Sequence, residues 1–184
     1  RLDVLRALSA RFPSAECAIT EAAALRAKLS LPMGVVHVIS DIHGEDIKLR
    51  HVINNASGAL RSLVEQVLAG RLSAADHARF MAVLYYPREA INAFSRGIVA
   101  AGDRTRWVHE TLALQFEIVR AQRLTYRRDH FERLLPEAYR ELFIELGSGQ
   151  RPDYIREMLA GLAAHDRDWG AVRAGARLIR NLSC

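Results

Sequence analysis

The stretch VVHVISDIHGED, Val35 to Asp46, decides how this chain is read. Val35-Val36-His37-Val38-Ile39 has the length and β-branched content of a short strand buried in a parallel sheet. It leads into Ser-Asp-Ile-His-Gly, after which a helical pattern resumes. In extended backbone, residues two apart project to the same side, so the carboxylate of Asp41 and the imidazole of His43 can converge on one cation. Ligands collect beyond the carboxyl ends of strands in open α/β sheets. Gly44 lets the backbone turn sharply into a helix whose first amides favour a phosphate. Glu45 and Asp46 are placed to cap that helix or to add negative charge to a cation site. An Asp-x-His pair by itself also fits a strand end that carries two polar residues.

Outward from this stretch the sequence is helical. Upstream, apolar residues recur at helical spacing from Leu2 to Leu29, broken at Arg11-Phe12-Pro13-Ser14, which predicts two helices with Ser14 as N-cap of the second. Leu31-Pro32-Met33-Gly34 punctuates the chain before the strand. Downstream, a helix carrying Ile47, Leu49, Val52 and Ile53 ends at Asn54-Asn55-Ala56-Ser57-Gly58, and another runs from Leu60 to Leu68, closed by Gly70. Ser73 caps a helix through Leu84 that Tyr85-Tyr86-Pro87 interrupts, and a further helix covers Arg88 to Ala100. The longest periodic stretch is Arg104 to Leu124, with Val108, Leu112, Leu114, Phe116, Ile118 and Val119 on its apolar face. Helices are expected over Glu137–Leu146, Pro152–Ala164 and Trp169–Ile179.

The chain has 184 residues, half of them hydrophobic, enough for a real core. The net charge is +5 and nearly all the positive charge is arginine, giving a pI of about 9.7. That balance permits anionic ligands without requiring them. Most arginines stand beside acids at helical spacing, as in RDHFERLLPEAYRELFIEL, which reads as a solvated, ion-paired face. Two distant cysteines, Cys17 and Cys184, give neither a disulfide framework nor a metal pair, so a reducing compartment is expected. No apolar run is long enough to span a bilayer. Arg1 in place of methionine, and the apolar end RLIRNLSC, read as a piece of a longer protein.

VISDIHGE resembles the first motif of the calcineurin-like metallophosphoesterases, which opens their site with Asp and His at the end of the first strand. The continuation SDIHGEDIKLRHVINNASGALRSLVEQVL is more specific and resembles the class III (Firmicutes-type) fructose-1,6-bisphosphatases. Its marks are the Asp-x-His-Gly-Glu loop, a helix, and a turn with His51, Val52, Asn55, Ser57 and Gly58. VLYYPRE and LTYRRDHFERLLP resemble later segments of that family, so the likeness runs from about Pro32 to the C-terminus.

The resemblance implies an α/β fold. The chain would be the N-terminal part of a calcineurin-like domain, mostly α-helical here, with one clear β-strand and a long helical insertion. Residues 1–58 would supply N-terminal helices, the first strand and the metal loop, and residues 59–184 the insertion leading to a second strand. It implies a two-metal, usually manganese-dependent (Mn²⁺) phosphatase of gluconeogenesis that hydrolyses fructose 1,6-bisphosphate. Asp41 and His43 would ligate the same ion, with an aspartate of the next motif bridging to the second. It also implies a cytoplasmic enzyme whose partner is a small sugar phosphate, with no nucleic acid and no membrane, and a homo-oligomer compatible with it. The later motifs, Gly-Asp-x-x-Asp-Arg-Gly and Gly-Asn-His-Glu, are absent, so this chain alone is expected to be inactive. Gly102-Asp103-Arg104 lacks the second aspartate and reads as a turn and helix cap.

Other residues are given structural roles. His37 is expected as a core or strand-pairing histidine rather than a ligand, His51 on a helix surface, and His77, His109, His130 and His165 facing solvent. Trp107 and Trp169 are expected as packing anchors. Tyr85-Tyr86-Pro87 fits a helix-ending aromatic pair against the core better than a sugar-phosphate pocket, and Arg127-Arg128 fits a solvated face better than an anion site. The alternatives are another phosphatase of the superfamily acting on a different ester, and a non-enzymatic helical module that binds nucleic acid or a partner. Clustered arginines without interleaved aromatics disfavour the latter.

Overall fold

A computed structural model of the chain describes residues 2–31, 38, 43–97, 101–126 and 128–183. The chain divides into two compact units, Arg1–Met33 and Gly34–Cys184.

The first unit contains α1 (Leu2–Arg11) and α2 (Ala15–Lys28). Ser14 is extended and its hydroxyl accepts from the Cys17 amide at 3.2 Å, which satisfies one of the orphan donors of α2. Neither helix has a buried residue, and Leu2, Val4, Leu5 and Leu8 stand in solvent.

The second unit runs α3 (Asp46–Asn54), a 3₁₀ turn (Ala56–Gly58), α4 (Ala59–Val67), α5 (Ala74–Tyr85) and α6 (Pro87–Ser95). It continues with α7 (Ala101–Arg123), α8 (Arg128–Leu134), a 3₁₀ turn (Glu137–Tyr139), α9 (Arg140–Ser148), α10 (Pro152–Ala164) and α11 (Asp168–Ser183). The boundaries follow local chemistry. The Ser73 hydroxyl caps α5 by accepting from the Asp76 amide at 3.1 Å. Proline occupies the first position of α6 and of α10, where its missing N–H costs nothing. Gly149 ends α9 in the left-handed region, φ 65°.

The core is organised on α7 and α11. Val108, Thr111, Leu112, Gln115, Phe116, Ile118, Val119 and Gln122 of α7 are buried, a wide stripe at period 3.6. On α11 the same spacing buries Ala171, Val172, Gly175, Ala176, Leu178, Ile179 and Leu182. Four contacts fix their register: Arg104 to Asp168, Gln115 to the Val172 carbonyl, Gln122 to the Ile179 carbonyl, and Tyr126 to the Leu182 carbonyl. Residue numbers rise together on both sides, so the two helices run parallel. The glutamine contacts recur seven residues apart on each helix, two turns of the shared seam. Gly175 is required there, because a Cβ would meet Gln115 Oε1 at 2.2 Å. Around this pair pack Leu60 and Val64 of α4, Phe80, Val83 and Leu84 of α5, Leu142 and Phe143 of α9, and Leu159 of α10. Phe143 meets Phe116 edge-on at 4.9 Å.

The N-terminal ends of α7 and α11 are tied by a buried charge pair. Asp168 is 1% exposed and receives two bonds from the Arg104 guanidinium, which also donates to Asp166 at 2.7 Å. The bonds to Asp168 push the Arg104 pKa further up and keep it charged. Its guanidinium also lies over Trp169, whose ring is 5.3 Å from that of Trp107, so both tryptophans are packing anchors as expected. Gly102-Asp103-Arg104, expected as a turn and cap, is instead the first turn of α7, and Asp103 pairs with Arg106.

The α/β expectation is corrected. Every regular element among the described residues is a helix, and this is an all-α fold. Of the expected strand, Val35, Val36, His37 and Ile39 lie outside the described residues, while Val38 has no regular structure and is 89% exposed. A strand is stable only when a neighbour takes up its backbone N–H and C=O groups and an apolar layer covers its face. Local β-branching in Val35–Ile39 cannot supply either.

Candidate functional site

The loop entering α3 turns on two successive left-handed residues, His43 at φ 45° and Gly44 at φ 76°. The second is a natural glycine position; the first places a side chain in a sparsely populated region. The Asp46 amide donates to the Gly44 carbonyl at 3.0 Å, and α3 begins. Glu45 is the N-cap residue without a side-chain cap bond. Its carboxylate pairs with Lys48, and Asp46 pairs with Arg50 at 3.4 Å, so both acids face bases of α3 itself. His43 is exposed. Asp41, the other expected ligand, lies outside the described residues, as does His37. Among the described residues no group of three His, Cys, Asp or Glu side chains is placed to hold a metal ion.

At its far end α3 passes into the turn that the sequence marks as Asn-Asn-Ala-Ser-Gly. Ala56, Ser57 and Gly58 are all left-handed, at φ 50°, 52° and 91°, and the Asn55 side chain accepts from the Gly58 amide at 3.2 Å. Ala56 is 1% exposed, so this strained turn is pinned into the core.

The last turn of α3 carries His51, and the structure gives it more than a surface role. Its Nδ1 is 2.6 Å from the Tyr86 hydroxyl, its ring stacks on Tyr86, and Tyr85 meets it edge-on. The Tyr85-Tyr86-Pro87 segment ends α5 with an aromatic pair, as expected. Tyr85 packs on the core, and both tyrosines line pockets. One is an open groove of about 960 Å³ bounded by His51, Arg61, Glu65, His77 and the tyrosines. Within it His77, expected in solvent, is half-buried, and its Nε2 has no hydrogen-bond partner among the described residues. Burial pushes the Tyr85 phenol above its ordinary pKa, with the Arg61 guanidinium pulling the other way. The second pocket, about 200 Å³, shares both tyrosines with the first and is rich in arginine.

The ion-paired reading of the arginines holds for Arg61 with Glu65, Arg79 with Asp76, Arg128 with Glu132 and Arg156 with Asp153. Among the described residues it does not extend to Arg173 and Arg177 of α11, for which no carboxylate partner is found.

The match to the model of the Firmicute fructose-1,6-bisphosphatase family runs over residues 3–184. The chain belongs to that family. It is similar to the class 3 fructose-1,6-bisphosphatase of Porphyromonas gingivalis, 34% identical over 145 residues, 79% of this chain and 22% of the relative. The class 3 fructose-1,6-bisphosphatase of Clostridium acetobutylicum is 28% identical over 186 residues, 98% of this chain and 28% of that protein. That of Staphylococcus epidermidis is 31% identical over 139 residues, 76% of this chain and 21% of the relative. The chain thus spans 21–28% of the length of these relatives. No solved structure matches it at comparable significance.

Proposed function

We propose that this chain is the segment of a fructose-1,6-bisphosphatase that supplies one half of its metal site and a helical insertion beside it. The reaction would be hydrolysis of fructose 1,6-bisphosphate to fructose 6-phosphate and inorganic phosphate. The observation that carries this reading is the family match over residues 3–184, which takes in the Asp-x-His-Gly-Glu loop and the helix it opens.

Asp41 and His43 are the residues we assign to a divalent cation, manganese by resemblance. The donor set fits: a carboxylate and an imidazole suit Mn²⁺, and His43 stands on an exposed turn with open space beside Gly44. A dinuclear centre polarises the phosphoryl oxygens and lowers the pKa of a bound water. This chain's part would be to supply these two donors, His43 from the exposed turn ahead of α3, with the Gly44 turn setting the direction of the helix. The remaining donors belong to motifs that this sequence lacks. A reducing, cytoplasmic setting accords with two cysteines and with the absence, among the described residues, of a helix long and apolar enough to cross a membrane.

The test is phosphate release by the longer protein carrying this segment, with manganese, from fructose 1,6-bisphosphate, other sugar phosphates and phosphoproteins. Fructose 1,6-bisphosphate should be the best substrate. Asp41→Asn and His43→Asn should each lower the rate by more than the roughly 10–100-fold that losing an outer-shell partner costs. Preference for an unrelated ester, or full activity in both variants, would overturn the reading. The 184-residue chain on its own should release no phosphate above background.

A further inference from the structure

We infer that the small pocket between α3, α6 and α11 binds a phosphate group, at a place separate from the Asp41/His43 loop. Five arginines line it, Arg50 from α3, Arg88 from α6, and Arg173, Arg177 and Arg180 from α11. Among the described residues Glu89 is the one carboxylate in the lining, and Arg50 has an acid of its own, Asp46, at 3.4 Å. The three on α11 are spaced i, i+4 and i+7, so they stand above one another on one helix face. Like charges in that register oppose helix formation unless something neutralises them. Elsewhere this protein neutralises them with acids at i±3 or i±4, as for Arg61, Arg79, Arg106, Arg128 and Arg156. The positions three and four away from Arg173, Arg177 and Arg180 carry no acid at all. Among the described residues, Arg88, Arg173 and Arg177 have no ion pair.

Arg180 is held in place by bonds to the Asn54 side chain at 3.2 Å and to the Tyr85 carbonyl at 2.9 Å. Arg173 and Arg180 are half-buried, so their charge is partly withdrawn from water and screened less than at an open surface. Guanidinium groups present paired donors that match phosphoryl oxygens, and several together favour a dianion over a carboxylate. Size narrows the ligand. At about 200 Å³ the pocket is smaller than the roughly 300–1,000 Å³ typical of whole-ligand sites, which suits a phosphoryl group. The groove beyond Tyr85 and Tyr86 offers space for the rest of a phosphorylated molecule.

The experiment is thermal unfolding of the chain in chelator, with inorganic phosphate titrated against sodium chloride of equal ionic strength. Phosphate should raise the Tm saturably, by about 3–6 °C at tenfold excess over Kd. Arg173→Gln/Arg177→Gln should weaken the apparent affinity at least tenfold, and Arg88→Gln, on a separate helix, should weaken it in a chain whose α11 is untouched. Asp41→Asn/His43→Asn should leave the response intact, which separates this inference from the proposed metal site. An equal Tm rise in parent and arginine variants would report only the general stabilising effect of phosphate as a salt and would overturn the inference. In the longer protein, the source of the phosphate is read from kcat/KM for fructose 1,6-bisphosphate over that for p-nitrophenyl phosphate. A tenfold fall of this ratio in Arg173→Gln/Arg177→Gln identifies the substrate's second phosphate. An unchanged ratio with lost sensitivity to added phosphate identifies a separate anion.

Discussion

His43, Gly44, Ala56, Ser57 and Gly58 all adopt left-handed backbone, and they bracket α3 at both ends. A left-handed conformation costs a side chain about 1–2 kcal/mol, so two such turns around one nine-residue helix need a reason beyond connection. At the first end the reason we assign is presentation of His43. At the second it is the docking of Ala56 in the core with Asn55 closing the turn. Gly58→Ala has open space for its new methyl but keeps φ 91°, so it should destabilise the fold by about 1–2 kcal/mol in urea unfolding. No loss of stability would mean that the turn can relax to another form. Tyr85 gives a second test at this scale. Its folded pKa is raised by burial, so its contribution to stability is complete below the unfolded value of about 10 and is lost as pH rises through the folded value. Tyr85→Phe has no such loss. Urea unfolding at pH 8 and at pH 10.5 should show the stability of the parent, relative to Tyr85→Phe, falling between the two. A difference that does not move with pH would contradict the assignment.

The parallel α7–α11 pair is the centre on which α4, α5, α6, α9 and α10 of the second unit pack. Its seam depends on a small residue facing a buried amide, since Gly175 admits Gln115 where a methyl would be 2.2 Å from Oε1. Gly175→Ala should therefore destabilise by about 1–3 kcal/mol despite the better helix propensity of alanine. Gly161→Ala, in α10 with nothing near the new methyl, should instead stabilise by roughly 0.5–1 kcal/mol. The pair of substitutions, read by thermal unfolding, separates propensity from packing, and equal effects would contradict the seam. Helices were legible in the sequence because their signals are local. Ser14 and Ser73 cap where expected, Pro152 opens α10, and the α10 bounds agree at both ends. A β-branched run such as Val35–Ile39 carries strand propensity, but a sheet depends on partners elsewhere, so the fold class was not legible there. Nor does the apolar period of Leu178 and Ile179 say which helix they meet, or that α7 and α11 are parallel.

Taken whole, the second unit is a helical body, and both sites proposed above border α3: the His43 loop at its start and the aromatic and arginine-lined pocket at its end. The nine residues of α3 rise roughly 12 Å from first to last, so the two ends are distinct places on one helix. Asp41 and His43 stand out in the sequence because an Asp-x-His spacing is short-range, and their role as ligands is the proposal made above. The arginine pocket was not legible, since Arg50, Arg88 and Arg177 are 38 and 89 positions apart in the chain. The one local clue was the run of α11 arginines without acids at helical spacing. The His51–Tyr86 bond was hidden for the same reason, joining residues 35 apart.

We propose that this chain gives a dinuclear phosphatase one half of its metal site. This is tested most directly by the manganese content of the longer protein, measured together with its rate of fructose 1,6-bisphosphate hydrolysis. The parent should hold about two ions per chain, and Asp41→Asn/His43→Asn should lose at least one of them together with the activity. Retention of both ions and of the full rate in that variant would contradict the account.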